Sequence, residues 1–299
     1  MIQVNNVTKK LGDFTALDDL TLHVPKGAIY GLVGPNGAGK STIIRHLSGA
    51  YRPDSGEILI DGQPVYENEA CKQKFTVIQD DIFYFLQANP VDMMKFYKGL
   101  YPKFDESLFF KMMDCFSTVD LKKPIRSMSK GMQKQVAFVL SICARTQLMI
   151  LDEPVDGLDP VMRRQIWNFI LADVAEHDLT VLVSSHNLRE LEDVCDHVGI
   201  MNQGKILIER SLDELQTSIV KVQVAFDGEM PALPPYIDVL KQISTGRVHT
   251  LIVKGELDTV KMVIGSMNPL IMDVLPLSLE EIFIYELGDE NYAVKDIIF

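Results

Sequence analysis

Gly34-Pro35-Asn36-Gly37-Ala38-Gly39-Lys40-Ser41-Thr42 matches the pattern G-x-x-x-x-G-K-[ST] at every fixed position. Ahead of it, Ala28-Ile29-Tyr30-Gly31-Leu32-Val33 is a short apolar run of the kind a buried parallel strand carries. Behind it, Thr42-Ile43-Ile44-Arg45-His46-Leu47-Ser48 reads as a helix that stops at Gly49. Strand, glycine loop and helix in that order predict a polyphosphate site. Gly34, Gly37 and Gly39 let the backbone curl so that its N–H groups converge at the helix N-terminus, and Pro35, Asn36, Ala38 and Thr42 complete the cradle. Lys40 is placed to reach the β- and γ-phosphates, and Ser41 to hold Mg²⁺. A glycine-rich turn with a chance lysine would lack the flanking strand and helix.

Outward from the loop, residues 2–8 and 20–24 approach period-two alternation and predict antiparallel strands. Gly56 to Val65 predicts a hairpin around Asp61-Gly62, and Phe75 to Gln79 a short strand. From about 85 to 145 the character is helical, with Asn89-Pro90 as an N-cap followed by proline at the first helical position. Leu148-Met149-Ile150-Leu151-Asp152 and Thr180-Val181-Leu182-Val183-Ser184 are continuous apolar runs, expected of strands buried on both faces. Met162 to His177 between them predicts a crossover helix, hence a βαβ unit and a parallel sheet. Val198 to Glu209 predicts another hairpin, turning at Asn202-Gln203-Gly204, and Ser211-Leu212-Asp213-Glu214 a capping box. The pattern then restarts. Val220 to Val224 and Val248 to Ile252 alternate like strands, Thr259 to Met267 predicts a helix, and Ser278-Leu279-Glu280-Glu281 caps another. A linker near 215–219 and the proline-rich Pro231-Ala232-Leu233-Pro234-Pro235 mark a second, smaller α+β unit.

The chain has 299 residues, of which 47% are apolar, enough for one large domain or two smaller ones with ample core. No apolar run reaches the ~18–20 residues that span a bilayer, and the start lacks the charged and apolar regions of a signal peptide. Cys71, Cys115, Cys143 and Cys195 are scattered, with no pair at metal-ligand spacing, so they read as reduced thiols. A formal net charge of −12 disfavours nucleic acid as a partner, since no basic excess is available to neutralise phosphates. These bounds describe a soluble, cytosolic globular protein.

A phosphate loop alone indicates a nucleotide and nothing more. Asp152-Glu153 adds a carboxylate at the end of a buried strand, suited to the Mg²⁺ shell, and beside it a candidate general base for an attacking water. An acidic turn after a strand would look the same in isolation, and the spacing from the other elements decides between them.

Taken together these pieces resemble the ATPase subunit of ATP-binding-cassette (ABC) transporters over about residues 1–215. The resemblance implies a P-loop NTPase core with a mixed, largely parallel sheet, an antiparallel β subdomain and a helical insert at about 85–135. That α/β domain would span 1–216, with a C-terminal accessory α+β domain at 217–299. It also implies that Gln79 lies at the Q-loop, which ligates Mg²⁺ and relays nucleotide state to a membrane subunit. Met128-Ser129-Lys130-Gly131-Met132-Gln133 occupies the signature position, Asp156-Gly157-Leu158-Asp159 resembles the D-loop, and His186 resembles the switch histidine. The implied reaction is hydrolysis of ATP to ADP and phosphate, with Lys40, Glu153 and His186 as catalytic residues and Ser41, Gln79 and Asp152 around Mg²⁺. In such a family each site is shared head to tail: Ser129 and Gly131 would come from a second ATPase subunit, either another copy or a sister cassette.

Two departures stand out. Lys130 and Met132 replace a glycine and the glutamine of the usual Leu-Ser-Gly-Gly-Gln, while Ser129 and Gly131 remain. At the adenine platform, Lys9-Lys10-Leu11-Gly12 lacks the aromatic of Lys-Xaa-Tyr-Gly, so Leu11 packs on the base without a stacking face and Phe14 is the candidate substitute. The helical insert, rich in methionine and aromatics, is where such a subunit would dock a transmembrane permease, which places the chain at the inner face of the cell membrane. The small C-terminal unit resembles bacterial export-type systems. Two other classes compete: a soluble ABC-type ATPase of translation, repair or assembly, and a cassette that binds ATP without turning it over. The chain carries neither a second cassette nor a long coiled coil, and it retains Glu153 and His186.

Overall fold

The structure is a computed structural model describing residues 1–82, 84–116 and 118–287; the last twelve residues of the expected C-terminal domain lie outside the described residues. β1 (Ile2–Leu11) and β2 (Phe14–Val24) form an antiparallel hairpin longer than the alternation in the sequence. Register shifts between Val4 and Val7 and between Val7 and Lys9 throw the strand out of period two, with Asn6 and Asp19 in left-handed backbone. β3 (Ile29–Val33) runs into the glycine loop and α1 (Lys40–Leu47). β4 (Ser55–Ile60) and β5 (Gln63–Pro64) then complete a four-stranded sheet of order β2-β1-β4-β5.

A single turn, α2 (Glu69–Lys72), capped by Asn68, leads to β6 (Phe75–Ile78). The helical stretch comprises α3 (Pro90–Leu100), α4 (Glu106–Cys115) and α5 (Lys130–Cys143). Asn89 caps α3 in a capping box with Asp92, with Pro90 at the start, as that dipeptide predicts. β7 (Leu148–Asp152), α6 (Pro160–His177) and β8 (Thr180–Ser185) make the expected βαβ crossover. Helix α6 starts ahead of Met162 because the Asp159 carboxylate accepts from the N–H groups of Val161 and Met162, both at 3.0 Å, and Pro160 takes the first helical position. β9 (His197–Asn202) and β10 (Lys205–Ser211) form the last hairpin of this part.

These strands assemble a six-stranded sheet of order β10-β9-β3-β8-β7-β6, parallel from β9 to β6. Every residue of β3, β7 and β8 is buried, which is why they are apolar without alternation. Leu32, Ile43, Ile44, Leu182 and Met201 belong to the core beneath the glycine loop.

The chain divides into two compact units: 1–186 with 197–209, and 187–196 with the chain from 210 onward. In the second, α7 (Leu212–Ser218), β11 (Ile219–Ala225), β12 (Asp238–Thr245), β13 (Val248–Lys254), α8 (Leu257–Gly265), β14 (Ile271–Leu275) and α9 (Leu279–Leu287) build an α+β layer pair. Its antiparallel sheet has the order β12-β13-β11-β14. Val222, Val224, Leu251, Val253, Val260 and Ile264 form its core. Strands β12 and β14, which no sequence pattern announces, are edge strands with largely exposed residues, so no apolar alternation marks them. Residues 187–196 belong to this unit through named bonds. Arg189 donates to Glu280 Oε2 from Nε (3.0 Å) and Nη2 (2.8 Å), and Glu192 Oε1 accepts the Leu279 N–H at 2.9 Å.

Candidate nucleotide site

The sheet order collects residues distant in the sequence. The glycine loop follows β3, His186 follows β8, Asp152 ends β7 with Glu153 next after it, and Gln79 follows β6, and these four parallel strands are consecutive neighbours. Adjacent strands stand about 4.8 Å apart, so all four groups share one carboxyl edge of the sheet, where open α/β sheets bind ligands.

The loop itself is shaped by two different constraints. Gly37 (φ 84°) and Gly39 (φ 110°) are left-handed, a conformation that side chains resist. Gly34 answers to space instead, since a Cβ there would lie 2.2 Å from the Met201 carbonyl oxygen. The β9–β10 turn supports the loop from below, with the Gly204 N–H donating to the Ala38 carbonyl at 2.8 Å. Gly39 sits at the N-cap of α1 and supplies no side-chain cap, and the first turn holds no acidic residue. The helix therefore begins with free donors and a positive dipole end, an arrangement that favours phosphate.

Lys40 is only 4% exposed, and its ammonium donates to the carbonyls of Gly34 (2.6 Å) and Pro35 (3.2 Å) while standing 3.4 Å from Glu153 Oε1. The other carboxylate oxygen, Glu153 Oε2, is 2.9 Å from His186 Nδ1. Glu153 is thus held between a lysine and the switch-position histidine, on a left-handed backbone (φ 45°) rare for a non-glycine residue. Asp152 is buried, and Ser184 Oγ donates to its Oδ1 at 2.6 Å while accepting the Glu153 N–H at 3.1 Å. One serine hydroxyl therefore orients both acidic residues.

Ser129 and Gly131 are placed elsewhere. Ser129 caps α5, its Oγ accepting the Met132 N–H at 3.3 Å, and Gly131 lies in the first turn. Gly131 lines a cleft of about 420 Å³ with Asp80, Asp81, Lys130, Lys134, Asp156 and Gly157, to which no residue of the 34–42 loop contributes. Leu11 and Phe14 face each other across the β1–β2 turn and are exposed by 45% and 61%. Two residues along β2, the Ala16 carbonyl would meet a Cβ on Gly39 at 2.8 Å, so Phe14 projects from the strand that flanks the loop.

Sequence reasoning passed over two residues. Ser184 was visible only as a polar residue ending an apolar strand, and its role depends on β7 and β8 pairing in the register Asp152↔Ser184. Lys134 was visible only as a charge ahead of the apolar run Val136-Ala137-Phe138-Val139-Leu140.

A phosphate loop on a buried parallel strand, with paired acidic residues on a strand two places away in the sheet, defines a P-loop nucleoside triphosphate hydrolase. The sequence profile of the ABC transporter family matches residues 17–156. The ABC transporter ATP-binding protein YtrB of Bacillus subtilis (strain 168) is 30% identical over 291 residues, 97% of this chain and 99% of its own length. The lantibiotic transport ATP-binding protein SrtF of Streptococcus pyogenes is 31% identical over 214 residues, covering 71% of this chain and 92% of SrtF. Among solved structures, an ATP-binding subunit of an ABC transporter superposes with a TM-score of 0.65 at 25% identity, over 72% of this chain and 92% of that one. The chain belongs to the ABC transporter ATP-binding protein family, and its activity is ATP binding and hydrolysis.

Proposed function

We propose that two cassettes close head to tail over ATP, each contributing the glycine loop and acidic pair to one site and Ser129 and Gly131 to the other. The observation that carries this reading is the separation within one chain. Lys40 and His186 each contact Glu153, on its two carboxylate oxygens, whereas Gly131 lines a cleft the loop does not reach. The missing wall over the γ-phosphate is then the helix N-terminus of a second chain, presenting a hydroxyl and backbone N–H groups. The second chain is a copy of this one or a sister cassette.

Lys40 turns from the Gly34 and Pro35 carbonyls to the β- and γ-phosphates, and Glu153 accepts the proton of the attacking water, with His186 holding its carboxylate. Ser41, Gln79 and Asp152 are hard oxygen donors that fit Mg²⁺, Asp152 being buried and oriented by Ser184. When bound, Mg²⁺ neutralises charge on the phosphates. Leu11 and Phe14 supply the platform for the base.

The transport partner docks on the helical insert, which would occupy 85–135 of a cassette domain spanning 1–216. Met93, Met94, Phe109, Met112 and Met113 are buried there as core, but Phe85, Leu86, Phe96 and Leu100 are exposed, and Phe85 and Phe96 stack edge to face at 5.1 Å. Among the described residues no helix is long and apolar enough to cross a membrane. A separately encoded transmembrane permease fits this apolar patch and would hold the chain at the inner membrane face. Export is the direction favoured, because the small C-terminal unit resembles bacterial export-type systems. The test is Glu153→Gln, which leaves ATP binding intact, lowers phosphate release by about 10²- to 10⁴-fold and accumulates an ATP-dependent dimer on size-exclusion chromatography. Phosphate release at the wild-type rate would overturn the general-base role.

A further inference from the structure

Lys134, on the second turn of α5, is only 7% exposed. Its ammonium donates to the backbone carbonyls of Glu153 (3.2 Å) and Asp156 (2.8 Å), and the carboxylate facing it, Asp80 Oδ1, stands 3.7 Å away on a side chain that is two-thirds exposed. A buried ammonium is costly unless its donors are satisfied, and an apolar side chain would fill this space without that penalty. Two of the three donors are spent on one short turn, the turn that carries Glu153.

That turn needs support. Glu153 is left-handed (φ 45°), a conformation that persists only where its surroundings hold it. The backbone closes the turn weakly, with Asp156 N–H reaching the Glu153 carbonyl at 3.4 Å. Lys134 spans the same two residues from outside the turn, clasping both carbonyls. Its other neighbour matters as well. Asp80 directly follows Gln79, and the same turn of α5 is tied to that stretch a second time, by Tyr84 Oη donating to the Gln133 carbonyl at 2.6 Å.

We propose that Lys134 is a positioning residue for ATP hydrolysis, fixing the 153–156 turn and the Glu153 carboxylate, and passing displacements of Asp80 and Tyr84 to that turn. The proposal rests on the reading of Glu153 as general base. A shift of about 1 Å in a reacting group is enough to cost about 100-fold in rate.

The experiment compares Lys134→Met and Lys134→Arg in the full-length protein, measuring kcat, KM for ATP and thermal unfolding, and repeats Lys134→Met in a Glu153→Gln background. The expected result is a fall in kcat of about 10- to 100-fold for Lys134→Met, with KM moving less than about twofold. Lys134→Arg, which keeps charge and donors, recovers most of the rate. In the Glu153→Gln background Lys134→Met lowers the residual single-turnover rate no further, the non-additivity of residues acting as one unit. Wild-type kcat in Lys134→Met, parallel changes in kcat and KM, failure of arginine to recover the rate, or an additive loss in the double variant would each overturn the proposal. Wild-type turnover by Glu153→Gln alone would overturn the general-base reading beneath it, and the Lys134→Met rate in the otherwise native chain separates the two failures. If Lys134→Met does not fold, Lys134→Gln, which retains one donor group, carries the same comparison.

Discussion

Removing the Ser184 hydroxyl should damage stability and Mg²⁺ use together. Ser184 is fully buried, with its O–H on Asp152 Oδ1 at 2.6 Å and the Glu153 N–H on its oxygen at 3.1 Å. In Ser184→Ala the first of these, a charge-assisted bond of about 1.5–3 kcal/mol, is lost, and a buried N–H is orphaned at about 1–3 kcal/mol. The two losses overlap, because the freed groups relax toward each other, so about 2–4 kcal/mol is expected in total. At about 2–4 °C per kcal/mol for a domain of 150–250 residues, Tm should fall by roughly 4–16 °C. Asp152 also loses its orienting donor. Loss of such an outer partner weakens metal sites by about 10- to 100-fold, so half-maximal ATPase should need that much more Mg²⁺. The assays are differential scanning calorimetry and phosphate release across a Mg²⁺ titration at saturating ATP. A Tm within about 1 °C of wild type with an unchanged Mg²⁺ midpoint would refute the reasoning.

Three further outcomes are expected. Lys40→Ala should lose nucleotide-dependent dimerisation, and a dimer still forming with ATP on sizing would contradict the phosphate-clamp role. Gly34→Ala forces a methyl group into the Met201 carbonyl, so overpacking of about 1–3 kcal/mol and weaker ATP binding should follow, and wild-type affinity in equilibrium titration would show the contact to be unimportant. Leu11→Tyr should tighten ATP binding by about 0.5–1.5 kcal/mol if the base stacks there, and an unchanged Kd would place the base elsewhere.

Local chemistry makes much of this protein legible in its sequence. The glycine loop, the apolar strands ending in Asp152 and Ser185, the caps at Asn89 and Ser211 and the Asn202-Gln203-Gly204 turn each depend on residues a few positions apart, where backbone preference and periodicity act directly. Patterns failed where tertiary context replaced them. Bulges at Asn6 and Asp19 hid the full length of β1 and β2, and exposure on both faces hid β12 and β14. The glycine of the loop that looked like a matter of backbone freedom, Gly34, proved to be one of space.

The sequence by itself determined the strand, glycine loop and helix and the groups they offer to a phosphate, because G-x-x-x-x-G-K-[ST] acts through residues a few positions apart. Only the tertiary structure decided what those groups touch. Ser184 meets Asp152 because β8 lies beside β7, His186 and Lys40 converge on Glu153 because β3 lies beside β8, and Lys134 reaches the Glu153 carbonyl from α5. Such contacts join residues 19 to 33 positions apart, and farther in the case of Lys40, so strand order and register set them, and neither is written in any local run of residues.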